Sequence, residues 1–150
     1  MSIESIVAAI ALAIEKEEQA EAFYGDWADR IQDPGSASML RELAAQEAGH
    51  KQRLEAGLAI AEGVEPGAVP EGIASADALV EPDLTPQSTT QDVLIVAVKR
   101  EERAEQMYAE LAKWAPPGDL RDLLAGLAGE EATHQARLRD LYDTLVLTDD

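Results

Sequence analysis

Residues 17–24 read EEQAEAFY and residues 101–108 read EERAEQMY; the same 84-residue shift carries QEAGHKQRL at 46–54 onto EEATHQARL at 130–138. It also maps Ala28 onto Ala112, Leu40 onto Leu124, Leu43 onto Leu127 and Arg53 onto Arg137. Two Ala/Glu-rich helices can resemble each other once by chance. Two blocks in one register, separated by a dissimilar turn, mark a duplication. Half of a 150-residue chain is too small for a good core of its own. The pattern therefore predicts two copies of a helical hairpin, packed together about a pseudo-twofold axis.

Ala, Leu, Glu, Gln and Arg dominate, and strand-like alternation is nearly absent. The β-branched run Val93–Val98 leads into a 3.6-period segment and reads as buried helix. Punctuation predicts four helices, over about 3–31, 36–62, 89–115 and 119–145. The first stops before the turn signal Asp33-Pro34-Gly35. The second starts near Ser36 or Ser38, and Gly63 offers its C-cap. For the third, Ser88 with Gln91 fits a capping box, and Pro116-Pro117-Gly118 ends it. Residues 63–88 carry Pro66, Gly67, Pro70, Gly72, Pro82 and Pro86, with Ser75–Val80 a candidate short helix. A connection of roughly 25 residues far exceeds the 2–8 usual between bundle helices. It is either a disordered linker or a crossover that lets the second and third helices run parallel. The expected fold is a single all-α domain, residues 1–150, a four-helix bundle with one long crossover.

The apolar seams of these helices contain polar residues. In the second helix the 3–4 spacing runs Leu40, Leu43, Glu47, His50, Leu54, Gly57, Ala61; in the fourth it runs Leu124, Leu127, Glu131, His134, Leu138, Leu141, Leu145. The first helix lines up Ile10, Glu17, Tyr24 and Ile31, and the third Leu94, Glu101, Tyr108 and Ala115. Each helix thus sets its repeated acid where Leu or Ile should sit. Four uncompensated carboxylates in a core would cost many kcal/mol or take up protons. No Lys or Arg occupies an adjacent seam position. A pair of divalent cations balances four carboxylates with both imidazoles neutral. One Glu from each of two helices, plus Glu-x-x-His from each of the others, matches di-iron and di-manganese carboxylate bundles. A lone Glu-x-x-H is a weak signal, but here both of the chain's 2 histidines carry it.

Composition narrows the function classes. With 12 basic and 30 acidic residues the net charge is −18, a field that repels phosphate backbones and anionic membranes and attracts cations. There is no cysteine, which excludes disulfides, thiolate metal sites and cysteine nucleophiles and fits a reducing compartment, so a cytoplasmic location is expected. The longest apolar run, Ile6–Ile14, is too short for a bilayer crossing of about 20 residues. Glu4 stands where a secretory signal would be basic. Ile6–Ile14 is apolar on every side, which implies either a dimer interface or a helix end buried under the crossover. Trp27 and Trp114 read as packing residues. Arg53 and Arg137 are expected to pair with surface acids.

The motifs E-E-Q-A-x-x-x-Y, Q-E-x-x-H, E-E-x-A-x-x-x-Y and E-E-x-x-H resemble the ferritin-like superfamily, and within it the rubrerythrin-like branch, over roughly residues 3–145. The resemblance implies that Glu17, Glu47, His50, Glu101, Glu131 and His134 ligate iron, with Glu47 and Glu131 bridging. It implies that Tyr24 and Tyr108 donate hydrogen bonds to ligand carboxylates; their seam spacing alone also fits core residues whose phenols reach another polar partner, and in the expected mechanism one of them relays protons. Two departures stand out. Rubrerythrins usually add a rubredoxin domain with four cysteines, and this chain has none. They also carry a seventh carboxylate three residues after the first ligand of the third helix, where this chain has Ala104. Glu105 and Glu21, each four residues after a ligand, are either supports for the site or solvated.

The expected function is a non-haem di-iron oxidoreductase that reduces peroxide or O₂, with electrons from a separate donor. The alternative is a ferroxidase or iron-handling protein. The expected cofactor is two iron ions, manganese or a mixed pair remaining open because carboxylate-rich sites do not choose iron by affinity alone. A homodimer or higher homo-oligomer is expected, with no nucleic-acid or membrane partner.

Overall fold

The computed structural model describes residues 5–63 and 83–148. Four helices account for most of them: α1 (Ile6–Arg30), α2 (Pro34–Glu62), α3 (Thr90–Trp114) and α4 (Asp119–Thr148). There is no strand among the described residues. Val93–Val98 is helical, as its place in a 3.6-period segment requires.

Side-chain caps decide where each helix begins. The Ser5 hydroxyl accepts from the Ala8 amide at 3.2 Å. The Asp33 carboxylate accepts from the Ser36 amide at 2.8 Å, so α2 begins at Pro34, two residues before the expected start. Pro34 is the reason: its fixed φ suits the first helical position, and its missing N–H costs nothing there. The box that starts α3 also differs from expectation. Thr89 and Asp92 exchange hydrogen bonds at 3.1 and 2.9 Å, whereas the Ser88 hydroxyl accepts from the Thr85 amide. At the α3–α4 turn Gly118 takes φ 135°, a region that favours glycine. There Arg121 donates to the Ala115 carbonyl from Nε and Nη2 at 2.9 and 2.6 Å. With no Gly or Pro to stop it, α4 continues past residue 145 to Thr148.

Cross-helix pairs fix the directions. Glu18 meets Lys51 and Ala28 meets Arg41, so α1 and α2 are antiparallel. Glu102 meets Arg139 and Ala115 meets Arg121, so α3 and α4 are antiparallel too. Between hairpins, Tyr24 meets Glu101 and Tyr108 meets Glu17, while Glu42 meets Arg137 and Arg53 meets Glu130. The α1–α3 and α2–α4 pairs are therefore also antiparallel, and α2 and α3 run parallel. α2 ends and α3 begins at opposite ends of the bundle, which is the arrangement of a one-crossover bundle. The expected short helix Ser75–Val80, with most of the crossover, lies outside the described residues.

Two apolar clusters fill the core. One gathers Ile10, Leu54, Leu111 and Leu124; the other gathers Leu40, Leu43, Leu94 and Leu138. Leu43, Glu47, His50 and Leu54 lie in sequence along α2, so a polar layer sits between two apolar plugs. In the run Ile6–Ile14, Ile6, Ala9, Ile10 and Ala13 are core, and Val7, Leu12 and Ile14 pack against it. Trp27 is buried, but Trp114, the last residue of α3, is 51% exposed and so is not the packing residue expected. Arg53 and Arg137 pair with Glu130 and Glu42, each at 2.7 Å. Among the described residues no helix is long and apolar enough to cross a membrane.

Candidate metal centre

The seam spacing has a direct structural outcome. Glu17, Glu47, His50, Glu101, Glu131 and His134 are each at most 4% exposed, and they come from all four helices. His50 Nδ1 lies 2.8 Å from Glu131 Oε1, 3.6 Å from Glu17 Oε1 and 3.8 Å from Glu47 Oε2. His134 Nδ1 lies 3.2 Å from Glu47 Oε1, 3.5 Å from Glu101 Oε2 and 3.8 Å from Glu131 Oε1. The two imidazoles are nearly parallel, 7° apart in plane, with centroids 5.7 Å apart. The pseudo-twofold axis inferred from the repeat thus passes through this layer.

The polar atoms here point at one another without pairing. Glu17 Oε2, Glu47 Oε1, Glu101 Oε2, both oxygens of Glu131, both ring nitrogens of His50 and Nδ1 of His134 are buried with no hydrogen-bond partner. His50 Nδ1 and Glu131 Oε1 are within reach of each other, but their orientation is not that of a hydrogen bond. Buried polar groups are normally satisfied, and leaving one unmade costs about 1–3 kcal/mol. Lone pairs converging on shared points suit a positive ion better than each other.

Two tyrosines hold the opposite edge of the layer. The Tyr24 hydroxyl donates to Glu101 Oε1 at 2.5 Å, and the Tyr108 hydroxyl donates to Glu17 Oε1. Burial, and then the nearby carboxylates, push both phenols well above their ordinary range, so they remain protonated donors.

Without a cation the carboxyls respond to crowding. Burial first, then the neighbouring glutamates, pushes Glu131 up to about 12 and Glu47 far above the usual carboxylate range. Burial also acts to raise Glu101, but the adjacent Glu131 carboxyl and His134 imidazole, with the hydrogen bond from the Tyr24 hydroxyl, outweigh it and leave Glu101 low. The metal-free layer therefore keeps protons on Glu47 and Glu131, which both subsites share. One subsite is Glu17, Glu47, His50 and Glu131; the other is Glu47, Glu101, Glu131 and His134; within each, one donor atom per residue lies within 4.8 Å of the others. Carboxylates and imidazoles are the donors that iron, manganese and zinc accept. The donor set fits a pair of divalent ions.

The profile of the ferritin-like domain family matches residues 5–144. The chain belongs to that family. Among solved structures it is similar to a hypothetical protein from Pyrococcus furiosus, at 25% identity and TM-score 0.74, covering 95% of this chain and 90% of that one. It is also similar to a Thermotoga maritima protein described as a candidate ferritin-like diiron-carboxylate protein, at 20% identity and TM-score 0.70, covering 95% and 97%. No curated protein matches it.

Within this ferritin-like chain, Ala104 is half-buried and packs against the apolar core, so that position supplies no seventh acid. Glu105 is also half-buried and accepts from Gln135, while Glu21 is exposed. Neither is among the residues grouped around the two subsites. One residue near the layer was not singled out from sequence. Glu130 Oε1 lies 3.5 Å from Nε2 of His50, and its Oε2 accepts from Arg53 at 2.7 Å. The available signal was the break in the repeat, since the 84-residue shift carries Glu130 onto Gln46.

Proposed function

We propose that the chain is a non-haem di-iron oxidoreductase that reduces hydrogen peroxide or O₂, with electrons from a separate donor protein. One observation carries the reading: four glutamates and two histidines from all four helices converge in a buried layer with their donor atoms unpaired. Glu47 and Glu131 would bridge the metals. Glu17 and His50 would complete one subsite, and Glu101 and His134 the other. When bound, two irons supply the two electrons that an O–O bond needs to be cleaved. Manganese or a mixed pair would fit the same donors.

The chain's own groups prepare this site in three ways. The apolar plugs on either side keep bulk water out. Each tyrosine holds one oxygen of Glu101 or Glu17 and leaves that residue's Oε2 unpaired in the layer. The protons on Glu47 and Glu131 leave as cations enter. The phenols of Tyr24 and Tyr108 donate to Glu101 and Glu17 and are proposed as the site's catalytic tyrosines, relaying protons through those carboxylates.

A second reading, a ferroxidase or iron-handling protein, draws on two observations. Ala104 leaves the subsites without the extra carboxylate of rubrerythrins, and the net charge of −18 gathers cations. The test is to load the metal-free protein with Fe²⁺ anaerobically and mix it rapidly with H₂O₂ or O₂, following absorption of the oxidised centre. Rapid oxidation by peroxide with slow oxidation by O₂ supports a peroxidase, and the opposite order weakens that form of the first reading and leaves O₂ reduction and iron oxidation to be separated by mass in solution. Failure to bind about two irons per chain overturns both. Mass in solution separates them further: a dimer, in the cytoplasm, suits peroxide chemistry and a large shell suits storage.

A further inference from the structure

The duplicated halves match at each expected ligand but differ beside one of them. Glu17 and Glu101, Glu47 and Glu131, and His50 and His134 exchange under the 84-residue shift, as do Tyr24 and Tyr108. Glu130 does not: its counterpart is Gln46. A histidine that offers Nδ1 to the metal layer carries its proton on Nε2, and that N–H needs an acceptor. His50 is 2% exposed, so bulk water is not at hand. Nε2 is itself buried without a hydrogen-bond partner, and the carboxylate facing it is Glu130, at 3.5 Å and held in place by Arg53, one short approach from accepting that proton. On the other half Arg137 turns to Glu42 instead, and Gln46 donates to that same Glu42 at 3.4 Å. Gln46 Oε1 is left buried with no hydrogen-bond partner.

We propose that Glu130 is a positioning residue that makes the two metal subsites unequal, so that the His50 subsite binds divalent metal first and more tightly than the His134 subsite. This rests on the metal-site reading above. An anionic acceptor behind an imidazole fixes the tautomer, orients the ring and makes the ligating nitrogen more basic; a neutral amide does this more weakly. Such partners change metal affinity by roughly 10- to 100-fold. The tighter subsite would keep its ion while the weaker one exchanges it, a division of labour absent from a symmetric pair.

The experiment titrates the metal-free full chain with Co²⁺, following its visible absorption, for the wild type, Glu130→Gln and Gln46→Glu. The wild type is expected to take up two ions in separate steps, the first about tenfold tighter or more. Glu130→Gln should weaken the first step and merge the two, with a changed Co²⁺ spectrum for the first ion. Gln46→Glu should merge them by tightening the second step. His134→Asn should retain the tight step, and His50→Asn should lose it. Two ions bound in one step by the wild type, or two unchanged steps in both Glu130→Gln and Gln46→Glu, overturn the inequality and leave the metal centre standing. No Co²⁺ uptake by the wild type overturns the metal centre and this inference with it. Circular dichroism melts of Glu130→Gln separate lost affinity from lost folding, and Gln46→Glu, which predicts a gain, cannot be mimicked by misfolding.

Discussion

The Tyr24 hydroxyl donates to Glu101 Oε1 at 2.5 Å, joining α1 to α3 across 77 residues of chain inside the core. Tyr108 repeats the bond to Glu17 in the other direction. The two bonds clasp the hairpins together beside the polar layer. Tyr24→Phe retains the ring, with its edge contact to Phe23, and leaves Glu101 Oε1 without its donor. The metal-free variant is expected to lose about 1–3 kcal/mol. Tyr108→Phe should lose a similar amount, because the repeat places it in the same role. Urea unfolding in the presence of a chelator measures both.

Glu47 and Glu131 should show opposite effects on stability and on metal binding. Each is buried among other carboxyls, so the metal-free fold bears the burden and the ions relieve it. Glu47→Gln removes an acid that the fold must keep protonated. It is expected to stabilise the metal-free protein by roughly 1–3 kcal/mol, the scale of an uncompensated buried polar group. The same change should abolish uptake of a full pair of ions, since Glu47 belongs to both subsites. Calorimetric melts and elemental analysis of the same preparation would check both directions. A variant that binds two metals normally would remove Glu47 from the ligand set.

Metal uptake should expel protons. At neutral pH Glu131, pushed up to about 12, and Glu47, raised further, hold protons in the metal-free layer. Ligation requires both as carboxylates. Roughly two protons should leave per chain on filling the site. Titration calorimetry in buffers of different ionisation enthalpy gives the number directly, and zero released protons would contradict the protonated metal-free layer.

Much of this layer was legible before any coordinates. The seven-residue step from Glu17 to Tyr24, repeated from Glu101 to Tyr108, puts acid and phenol on one helix face, and a helix admits few other ways to arrange them. The 3–4 spacing around Glu47-x-x-His50 does the same for α2. Caps were less legible. Ser88/Gln91 and Thr89/Asp92 fit the same local pattern, and the choice fell to which hydroxyl faced the helix rather than the Thr85 turn. Trp114 misled because a residue at a helix end can leave the core with a small change of register. Glu130 was hidden because it neighbours a seam position without occupying one. Its relation to His50 depends on how α2 and α4 pack, which no spacing along a single helix encodes.

The metal-free protein should weaken as pH rises, unlike one whose acids are salt-bridged. Glu47 and Glu131 have an ordinary value of 4.5 and are raised in the folded state, Glu131 to about 12. Between those limits the folded chain binds more protons at these groups than the unfolded chain does. Stability follows the difference in protons bound, so it falls with increasing pH across this window, by up to roughly 1.4 kcal/mol per unit for each such group. Glu101, held low, acts in the opposite sense but only below the ordinary carboxylate range. Tyr24 and Tyr108, raised, add to the loss only above the ordinary phenol range. Bound cations replace the protons, and their affinity grows as competition from protons fades. Urea midpoints at pH 6, 7 and 8 should therefore decline with chelator present and rise or stay level with saturating Mn²⁺. Parallel slopes in the two series would mean that the shared acids are not the groups the metal displaces protons from.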